Sequence, residues 1–330
     1  VVSCMFFGAI SGSAVAATSA IGSFMLPEMK KQGYDVNYSA AVTAAAATTG
    51  MLIPPSNILI VYAIASGGVS IAALFIAGYL PGIMLGLSLM LVCAGYAKLK
   101  GYPVGARLPL KLVLQKVAAA LPSLFMIFLV IGGIVSGVFT ATEAGAIAVV
   151  YSLILAVGIY REVKTSELPA ILMKSAETTA IVMALIATSS AMSWILSYEQ
   201  IPQAISAAML ALSDNPLLIL LMINLILLLV GAFMDMTPAV LIFTPIFLPV
   251  AVELGMSPLH FGIMMVLNLS IGLVSPPVGS VLFVSCAIAK TKLEAIIRPL
   301  MPLYLAMFVV LMLVTYVPAI SEWLPKQFGF

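Results

Sequence analysis

The sequence predicts an all-α polytopic membrane protein built from two inverted repeats, each with a re-entrant hairpin and a broken helix. Composition is the first reason. Hydrophobic residues make up 63% of the chain and charged residues 8%, with a mean hydropathy of +1.22, whereas soluble domains are about 45–50% apolar and about 25% charged. Apolar runs near the roughly 20 residues that cross a bilayer recur along the whole chain. Finally, two of these runs are interrupted by a Pro-Pro pair in similar surroundings.

The charge balance argues against a nucleic-acid-binding protein. The chain has 14 Lys and Arg against 12 Asp and Glu, a net charge of +2, and lacks the basic stripe of such proteins. Cys4, Cys93 and Cys286 have neither metal-site nor disulfide spacing, and we expect them to be small packing residues. The chain begins Val1-Val2-Ser3 without an initiator Met or signal peptide, so a fragment or processed chain is expected.

We expect five segments along the chain. Residues 1–66 hold the first hairpin and broken helix, 67–170 scaffold and connecting helices, 171–214 connecting and interfacial helices, 215–289 the second hairpin and broken helix, and 290–330 a C-terminal scaffold helix.

Each predicted hairpin has its tip at an interruption of an apolar run. In the first run the interruption is Gly8 to Ser13, where small polar residues predict a tip. The alternative is a close-packed helix face of small residues, which is common in membranes. The second run, Leu217 to Leu254, is too long for one span and is broken by Phe233-Met234-Asp235-Met236-Thr237-Pro238.

The broken helices are predicted at Gly50 to Asn57 and at Gly272 to Gly279. A Pro-Pro pair removes two backbone donors, so helical turns cannot close there. The carbonyls of Gly50 and Met51 are therefore expected to be free, and so are those of Gly272 and Leu273. A broken helix with free carbonyls in an apolar segment is a place to hold a cation.

Basic residues predict the side of the membrane on which each loop lies. The densest cluster is Lys98, Lys100, Arg107, Lys111 and Lys116, and by the positive-inside rule this loop is cytoplasmic. Lys30-Lys31 and the group Lys290, Lys292 and Arg298 are placed inside on the same ground. The loop from Glu253 to His260 has no Lys or Arg and is placed outside.

An internal repeat follows from an offset of 222 residues. Pro27 falls on Pro249, Gly33 on Gly255, and the two Pro-Pro pairs fall on each other. Five crossings separate the matched loops, and an odd number means that the copies are inverted, as in many secondary transporters. Since the first copy starts at its hairpin, repeat symmetry predicts that roughly 100 preceding residues are absent.

Four motifs in order then resemble a known family. They are Ile10 to Ala16, Gly50 to Asn57, Met234 to Ala239, and Asn268 to Gly272 with Ser275 to Gly279. Together they resemble the large membrane (M) subunit of tripartite ATP-independent periplasmic (TRAP) transporters. The resemblance implies an elevator-type ion transporter fold in the bacterial inner membrane, with residues 1–66 and 215–289 as the transport domain. It implies sodium-driven import of an organic acid, of the sialic acid or C4-dicarboxylate type. It also implies a small membrane subunit and a periplasmic substrate-binding protein as partners.

Pseudo-symmetry predicts two sodium sites, since sodium ions prefer several oxygen ligands. The expected ligand positions of the first are Ser11, Ser13, Gly50, Pro54 and Ser56, and those of the second are Asp235, Thr237, Gly272 and Ser275. Asp235 is singled out because an intramembrane carboxylate is costly and usually functional. The alternative is that it caps the second leg of its hairpin, where Thr237-Pro238 opens a helix.

The substrate anion is expected at the half-helix N-termini, because these motifs contain no Arg or Lys and helix ends attract anions. The expected positions are Asn57, Asn268, Pro55, Pro277 and Gly279. The two asparagines have the alternative role of tying helices together.

Other residues are assigned structural roles. Glu143 follows Thr140 at a capping position, the single histidine His260 is placed at an interface, and Trp194 and Trp323 are expected to be membrane-interface anchors.

Three other functions compete with this interpretation. An intramembrane protease needs a carboxylate pair or a serine with a base, and neither is evident around Asp235. A channel is expected to repeat its filter in an oligomer rather than invert it within one chain. A sodium-carboxylate symporter that works without a binding protein is the runner-up, and the sequence hardly separates it from the first interpretation.

Overall fold

The computed structural model describes residues 1–102, 109–213 and 215–330, and the regular structure of these ranges is helical. Arg107 of the predicted cytoplasmic cluster and residue 214, the end of the third predicted segment, lie outside the described residues. The α-helices are α1 (Val2–Ser11), α2 (Ala14–Lys31), α3 (Val36–Thr49), α4 (Asn57–Ala65), α5 (Ile71–Lys100), α6 (Leu110–Val135), α7 (Ala141–Leu153), α8 (Leu168–Tyr198), α9 (Ile201–Leu212), α10 (Pro216–Phe233), α11 (Met236–Glu253), α12 (Pro258–Gly272), α13 (Ser280–Ala289), α14 (Leu293–Tyr316) and α15 (Ala319–Gln327). A π-helical turn (Ile154–Ile159) continues α7, and a 3-10 turn (Thr165–Glu167) precedes α8.

Seven helical stretches of the described residues are long and apolar enough to cross a membrane. They are Ile71–Lys100, Leu110–Val135, Ala141–Ile159, Thr165–Tyr198, Pro216–Phe233, Met236–Glu253 and Leu293–Tyr316. The predicted all-α polytopic membrane protein is therefore confirmed.

Both hairpins are interrupted at their predicted tips. The first run is not one continuous helix face, because Gly12 adopts a left-handed backbone (φ 61°) that ends α1. Ser13 then starts α2, and its Oγ accepts a hydrogen bond from the Ala16 N–H. In the second hairpin α10 ends at Phe233, Met234 and Asp235 are extended, and α11 follows. In each hairpin the two helices pack against each other.

The same order of helices recurs with the predicted offset of 222 residues. Both α2 and α11 have 18 residues, and they begin at Ala14 and Met236. The starts of α3 and α12 and those of α5 and α14 differ by the same amount, and those of α4 and α13 by one residue more. Helices thus start and end at corresponding positions in the two copies, near the prolines and glycines that the copies share.

Helices of the two copies pack crosswise. Helix α2 packs against α13, and their counterparts α11 and α4 pack against each other in the same way. Likewise α3 contacts α14, its counterpart α12 contacts α5, and α3 contacts α12 directly. Every contact between the copies in this set has its reciprocal, which is the pattern that an approximate two-fold axis produces.

Corresponding turns of the two copies lie at opposite ends of α14. The turn between α2 and α3 lies near the start of α14, since Asn37 and Arg298 line one cleft. The turn between α11 and α12 lies near the end of α14, since Met256 and Thr315 line another. The 24 residues of α14 span about 36 Å at 1.5 Å per residue.

Both copies of the repeat belong to one compact unit, Val1–Pro103 with Thr188–Phe330. Val104–Ala187 forms a second unit. Within the second unit α6 packs against α7, and the Tyr151 hydroxyl donates to the Pro122 carbonyl at 2.7 Å. Glu143 and Thr140 form a capping box at the start of α7, which confirms the structural role predicted for Glu143.

Candidate functional site

The first break is a short non-helical segment closed by its own serine. Helix α3 ends at Thr49, and the Met51 and Leu52 N–H groups donate back to Thr48 and Thr49. The buried Ser56 Oγ donates to the Met51 carbonyl at 2.5 Å, and α4 begins at the next residue. The segment is buried at Pro54 and half-buried at Pro55.

The first hairpin contacts this break at two places. Gly8 of α1 and Gly50 touch through their backbones, so a Cβ on Gly50 would lie 2.4 Å from the Gly8 Cα. At the tip, a Cβ on Gly12 would lie 2.6 Å from the Asn57 Oδ1. The residues flanking Gly12 are Ser11 and Ser13, so the structure brings the first set of predicted ligand positions to one region.

The second break repeats this arrangement. A Cβ on Gly272 would lie 2.5 Å from the Cα of Gly231 in α10. Gly279, the counterpart of Asn57, has a left-handed backbone (φ 49°), and its N–H donates to the Ala232 carbonyl at 3.0 Å. The second hairpin is thus held to its break just before the tip that carries Asp235.

The expectation of free carbonyls is wrong at three of the four positions. Besides Met51, the Gly272 carbonyl accepts from the Ser275 N–H at 2.8 Å, and the Leu273 carbonyl accepts from the Val281 N–H at 3.2 Å. The physical reason is that the chain after each break folds back and supplies new donors. Since a carbonyl oxygen has two lone pairs, these oxygens retain one each for a further ligand.

Corresponding positions of the two breaks carry different chemistry. Ile53 packs into the space left by Gly82 of α5, where a Cβ would lie 2.6 Å from the Ile53 Cγ1. The counterparts of these two residues are Ser275 and Tyr304 of α14. There the Ser275 Oγ lies 3.0 Å from the Tyr304 hydroxyl and donates to the Ile271 carbonyl at 2.9 Å. The second break is therefore polar where the first is apolar.

Asp235 precedes α11 as its N-cap residue, yet its side chain makes no capping hydrogen bond. It is exposed, and the next ligand candidate, Thr237, is half-buried. In the first hairpin the corresponding residue Ser13 does cap its helix. The alternative role predicted for Asp235, a side-chain cap, is absent from this conformation, and its carboxylate oxygens are available to a cation.

The candidate positions differ in burial. Gly50, Pro54, Ser56, Gly272, Ser275, Asn268 and Gly279 are buried, Ser11, Ser13, Thr237 and Pro55 are half-buried, and Asp235, Asn57 and Pro277 are exposed.

Asn268 has the helix-tying role that was left open for it. Its Nδ2 donates to the Asn224 backbone carbonyl and to the Asn224 Oδ1, both at 2.8 Å. Asn224 in turn donates to the Thr315 Oγ1 at 3.2 Å. This network joins α12, α10 and α14, whereas Asn57 remains exposed beside the first tip.

His260 is buried, with no exposed surface, so its predicted placement at an interface is wrong. Its Nδ1 is hydrogen-bonded to the Ser321 Oγ, and its Nε2 lies 3.2 Å from the Thr315 carbonyl. The reason is α15, which folds back over the start of α12. Trp194 and Trp323 are exposed, as membrane-interface anchors are expected to be.

Glu322 of α15 holds the same end of α12. Its carboxylate accepts from the Ser257 Oγ at 2.5 Å and from the Lys326 ammonium at 2.8 Å. Burial alone would raise the pKa of Glu322, but the hydrogen bonds from Lys326 and Ser257 outweigh it and leave the pKa lowered.

Sequence reasoning missed the glycines at the hairpin contacts and the partner of Ser275. Gly8 and Gly231 lie inside apolar helices, where glycine is common. Their spacing of 223 residues, one more than the repeat offset, was the available signal. Tyr304 gave no signal, because its importance depends on a contact between distant helices.

Comparisons with known proteins extend over the whole chain. A family model described as "Tripartite ATP-independent periplasmic transporter, DctM component" matches residues 1–320. The chain is 53% identical, over 98% of its length, to the uncharacterized protein YgiK of Salmonella typhimurium, of which it covers 74%. It is 42% identical, over 100% of its length, to the C4-dicarboxylate TRAP transporter large permease protein DctM of Pseudomonas aeruginosa, of which it covers 77%. It is also 42% identical, over 96% of its length, to the isethionate TRAP transporter permease protein DctMQ of Oleidesulfovibrio alaskensis, covering 50% of that protein.

Proposed function

Because the chain belongs to the tripartite ATP-independent periplasmic transporter family as a DctM component, a multi-pass protein of the inner membrane, we propose that it imports a small organic acid by sodium-coupled secondary transport. The observation that carries this proposal is the duplicated contact between a hairpin and a broken helix, at Gly8 with Gly50 and at Gly231 with Gly272. Secondary transporters bind substrate and ions at such breaks, between the repeats.

The arrangement of the two copies supports an elevator mechanism. Corresponding turns lie at opposite ends of α14, as inverted repeats require. The crosswise contacts of α2 with α13 and of α4 with α11 join both hairpins and both broken helices into one packed body. In an elevator this body, residues 1–66 and 215–289, carries the bound substrate across the membrane relative to a scaffold.

Two sodium ions would occupy the two break regions. For the first we propose oxygens of Ser11, Ser13, Gly50, Pro54 and Ser56 as ligands, and for the second those of Asp235, Thr237, Gly272 and Ser275. The uncapped carboxylate of Asp235 gives the second site a negative charge, so it should bind the cation more tightly. The first site would rely on neutral oxygens alone.

The names of relatives and the chemistry of the breaks support the proposed substrate class. Two relatives are named as transporters of C4-dicarboxylates and of isethionate, which are carboxylate and sulfonate anions. The helices α4 and α13 begin at the breaks, and their N-terminal N–H groups favour an anion. Asn57, Pro55, Pro277 and Gly279 surround these helix starts. Asn268 would act there through packing rather than contact. Sialic acid stays a second candidate class.

Uptake into proteoliposomes with an imposed sodium gradient tests the proposal. Asp235→Asn should raise the sodium concentration for half-maximal uptake about tenfold or more, the effect of losing about 1.4 kcal/mol of binding. Glu199→Gln removes an exposed carboxylate in the turn between α8 and α9 and should leave that concentration unchanged. Equal sodium activation of wild type and Asp235→Asn would refute the second sodium site.

We also propose that uptake requires a small membrane subunit and a periplasmic substrate-binding protein. Omitting the binding protein from the same assay should abolish uptake. Full uptake without it would favour the alternative, a sodium-carboxylate symporter acting alone. A panel of dicarboxylates, sulfonates and sialic acid would identify the substrate.

A further inference from the structure

Two clefts lie side by side at the end of the first unit that is predicted to be cytoplasmic. The first, of about 490 Å³, lies between the α2–α3 turn and the end of α13. The second, of about 550 Å³, lies between the end of α5 and the start of α14. Asn37 lines both clefts. Three separate parts of the chain therefore converge on one polar patch.

Each cleft presents two cationic side chains. Lys30 and Lys290 line the first, and Lys100 and Arg298 line the second. None of these four forms an ion pair with another described residue. By contrast Lys31, next to Lys30, pairs with Glu28 at 3.9 Å. The four cations that line the clefts are thus free to pair with an anionic ligand.

The acidic residue of this patch is already engaged. Asp35 lines the second cleft, but its Oδ1 accepts from the Tyr38 N–H at 2.8 Å and caps α3. Its negative charge remains, but Lys100 and Arg298 outnumber it, so the second cleft keeps a net positive charge.

Hydrogen bonds and stacked rings hold the walls in place. The Thr291 Oγ1 donates to the Asn37 Oδ1 at 2.5 Å and ties the α13–α14 turn to α3. Tyr38 stacks on Tyr96 with ring centroids 3.9 Å apart. The Tyr102 hydroxyl accepts from the Asp35 N–H at 3.3 Å. A preorganised frame of this kind lowers the entropy that a ligand loses on binding.

The first cleft joins this polar patch to an apolar surface. Leu26, Val36 and Ile288 line it together with the two lysines. The helices α2 and α13, which frame it, expose Phe24 and Phe283 within about two turns of the cleft. A ligand that fits has an anionic head and an apolar tail.

We propose that the paired clefts bind the headgroup of an anionic phospholipid of the cytoplasmic leaflet, with its phosphate between the cations and its acyl chains along α2 and α13. Basic pockets between membrane helices on the cytoplasmic side recognise such headgroups, and that leaflet carries the anionic lipids. The clefts are distinct from both breaks, so this site does not depend on the proposed transport substrate.

Native mass spectrometry of the purified full-length transporter tests the site. Phosphatidylglycerol, cardiolipin and phosphatidylcholine are added separately. Lys30→Gln with Lys290→Gln removes the cations of the first cleft, and Lys100→Gln with Arg298→Gln those of the second. Each pair should weaken phosphatidylglycerol binding about 25-fold, at about fivefold per charge removed. Phosphatidylcholine, which has no net charge, should bind weakly to the wild type and to all variants.

The matched control is Lys31→Gln with Lys292→Gln, which removes two exposed cations from the same end but outside the clefts. It should change binding less than about threefold, because salt screens exposed charges that lie away from the bound headgroup. An equal loss in the control would overturn the proposal and show unspecific charge attraction. Displacement of phosphatidylglycerol by millimolar inorganic phosphate alone would also overturn it, because the clefts would then bind free anions. Unchanged melting temperatures in the absence of lipid establish that each variant is folded.

Discussion

Replacing Gly50 or Gly272 by Ala tests the close approach of each hairpin to its break. The added Cβ would lie 2.4 Å from the Gly8 Cα in the first copy and 2.5 Å from the Gly231 Cα in the second. Carbon atoms that are not bonded prefer about 3.5–4.0 Å. The atoms in the way are backbone atoms, so no side chain can rotate to make room. The hairpin has to move by about 1 Å relative to its break.

The expected cost is that of overpacking a well-packed core, about 1–3 kcal/mol for each substitution. In chains of roughly 150–250 residues, each kcal/mol lowers the melting temperature by about 2–4 °C. Both variants should therefore melt several degrees below wild type. Because the shift displaces the tips with their candidate ligands, both should also need more sodium for half-maximal uptake.

Gly95→Ala is the matched control for this pair. Gly95 lies in α5, and beyond its own helix backbone an added Cβ would meet no atom of the described residues within 4 Å. Ala favours a helix over Gly by about 1 kcal/mol. This variant should be at least as stable as wild type, with unchanged uptake. The melting temperature of each variant is measured by scanning fluorimetry. If Gly50→Ala, Gly272→Ala and Gly95→Ala have the same melting temperature, the glycine contacts do not hold the hairpins.

Two further substitutions test the polar contacts around α12. Asn268→Leu should lower the free energy of unfolding by about 1–3 kcal/mol, because Asn224 loses a buried partner, while sodium dependence and substrate KM stay as in wild type. A higher KM at unchanged stability would instead make Asn268 a substrate contact. Lowering the pH below 4.5, the ordinary pKa of glutamate, should destabilise the protein, because the lowered pKa of Glu322 means that protonation removes its bonds to Ser257 and Lys326. Glu322→Gln should melt with a weaker pH dependence in this range, and an unchanged profile would contradict this role.

Helix interruptions and the repeat could be predicted from the sequence, because they depend on local chemistry. Proline lacks the N–H that a helical turn needs, and glycine permits a left-handed end such as that at Gly12. These residues recur at fixed spacing, so the offset of 222 could be read without any knowledge of packing.

Properties that depend on distant contacts could not be predicted. The burial of His260 requires that α15 fold over the start of α12, about 60 residues further along the chain. The Met51 carbonyl accepts a hydrogen bond from the Ser56 Oγ, because the chain folds back after the prolines. The polar pair of Ser275 and Tyr304 joins two helices that sequence patterns treat separately.

The crosswise packing of α2 with α13 and of α4 with α11 has a consequence for biosynthesis. The ribosome completes α4 at Ala65 and α13 only at Ala289, roughly 220 residues later. At about 5–20 residues per second, the N-terminal half waits roughly 10–45 s in the bilayer before the helices that complete it emerge. During that interval its contact faces are open to lipid, to insertion factors and to membrane proteases. A truncated or stalled chain would therefore be expected to be degraded rather than to persist as a stable half.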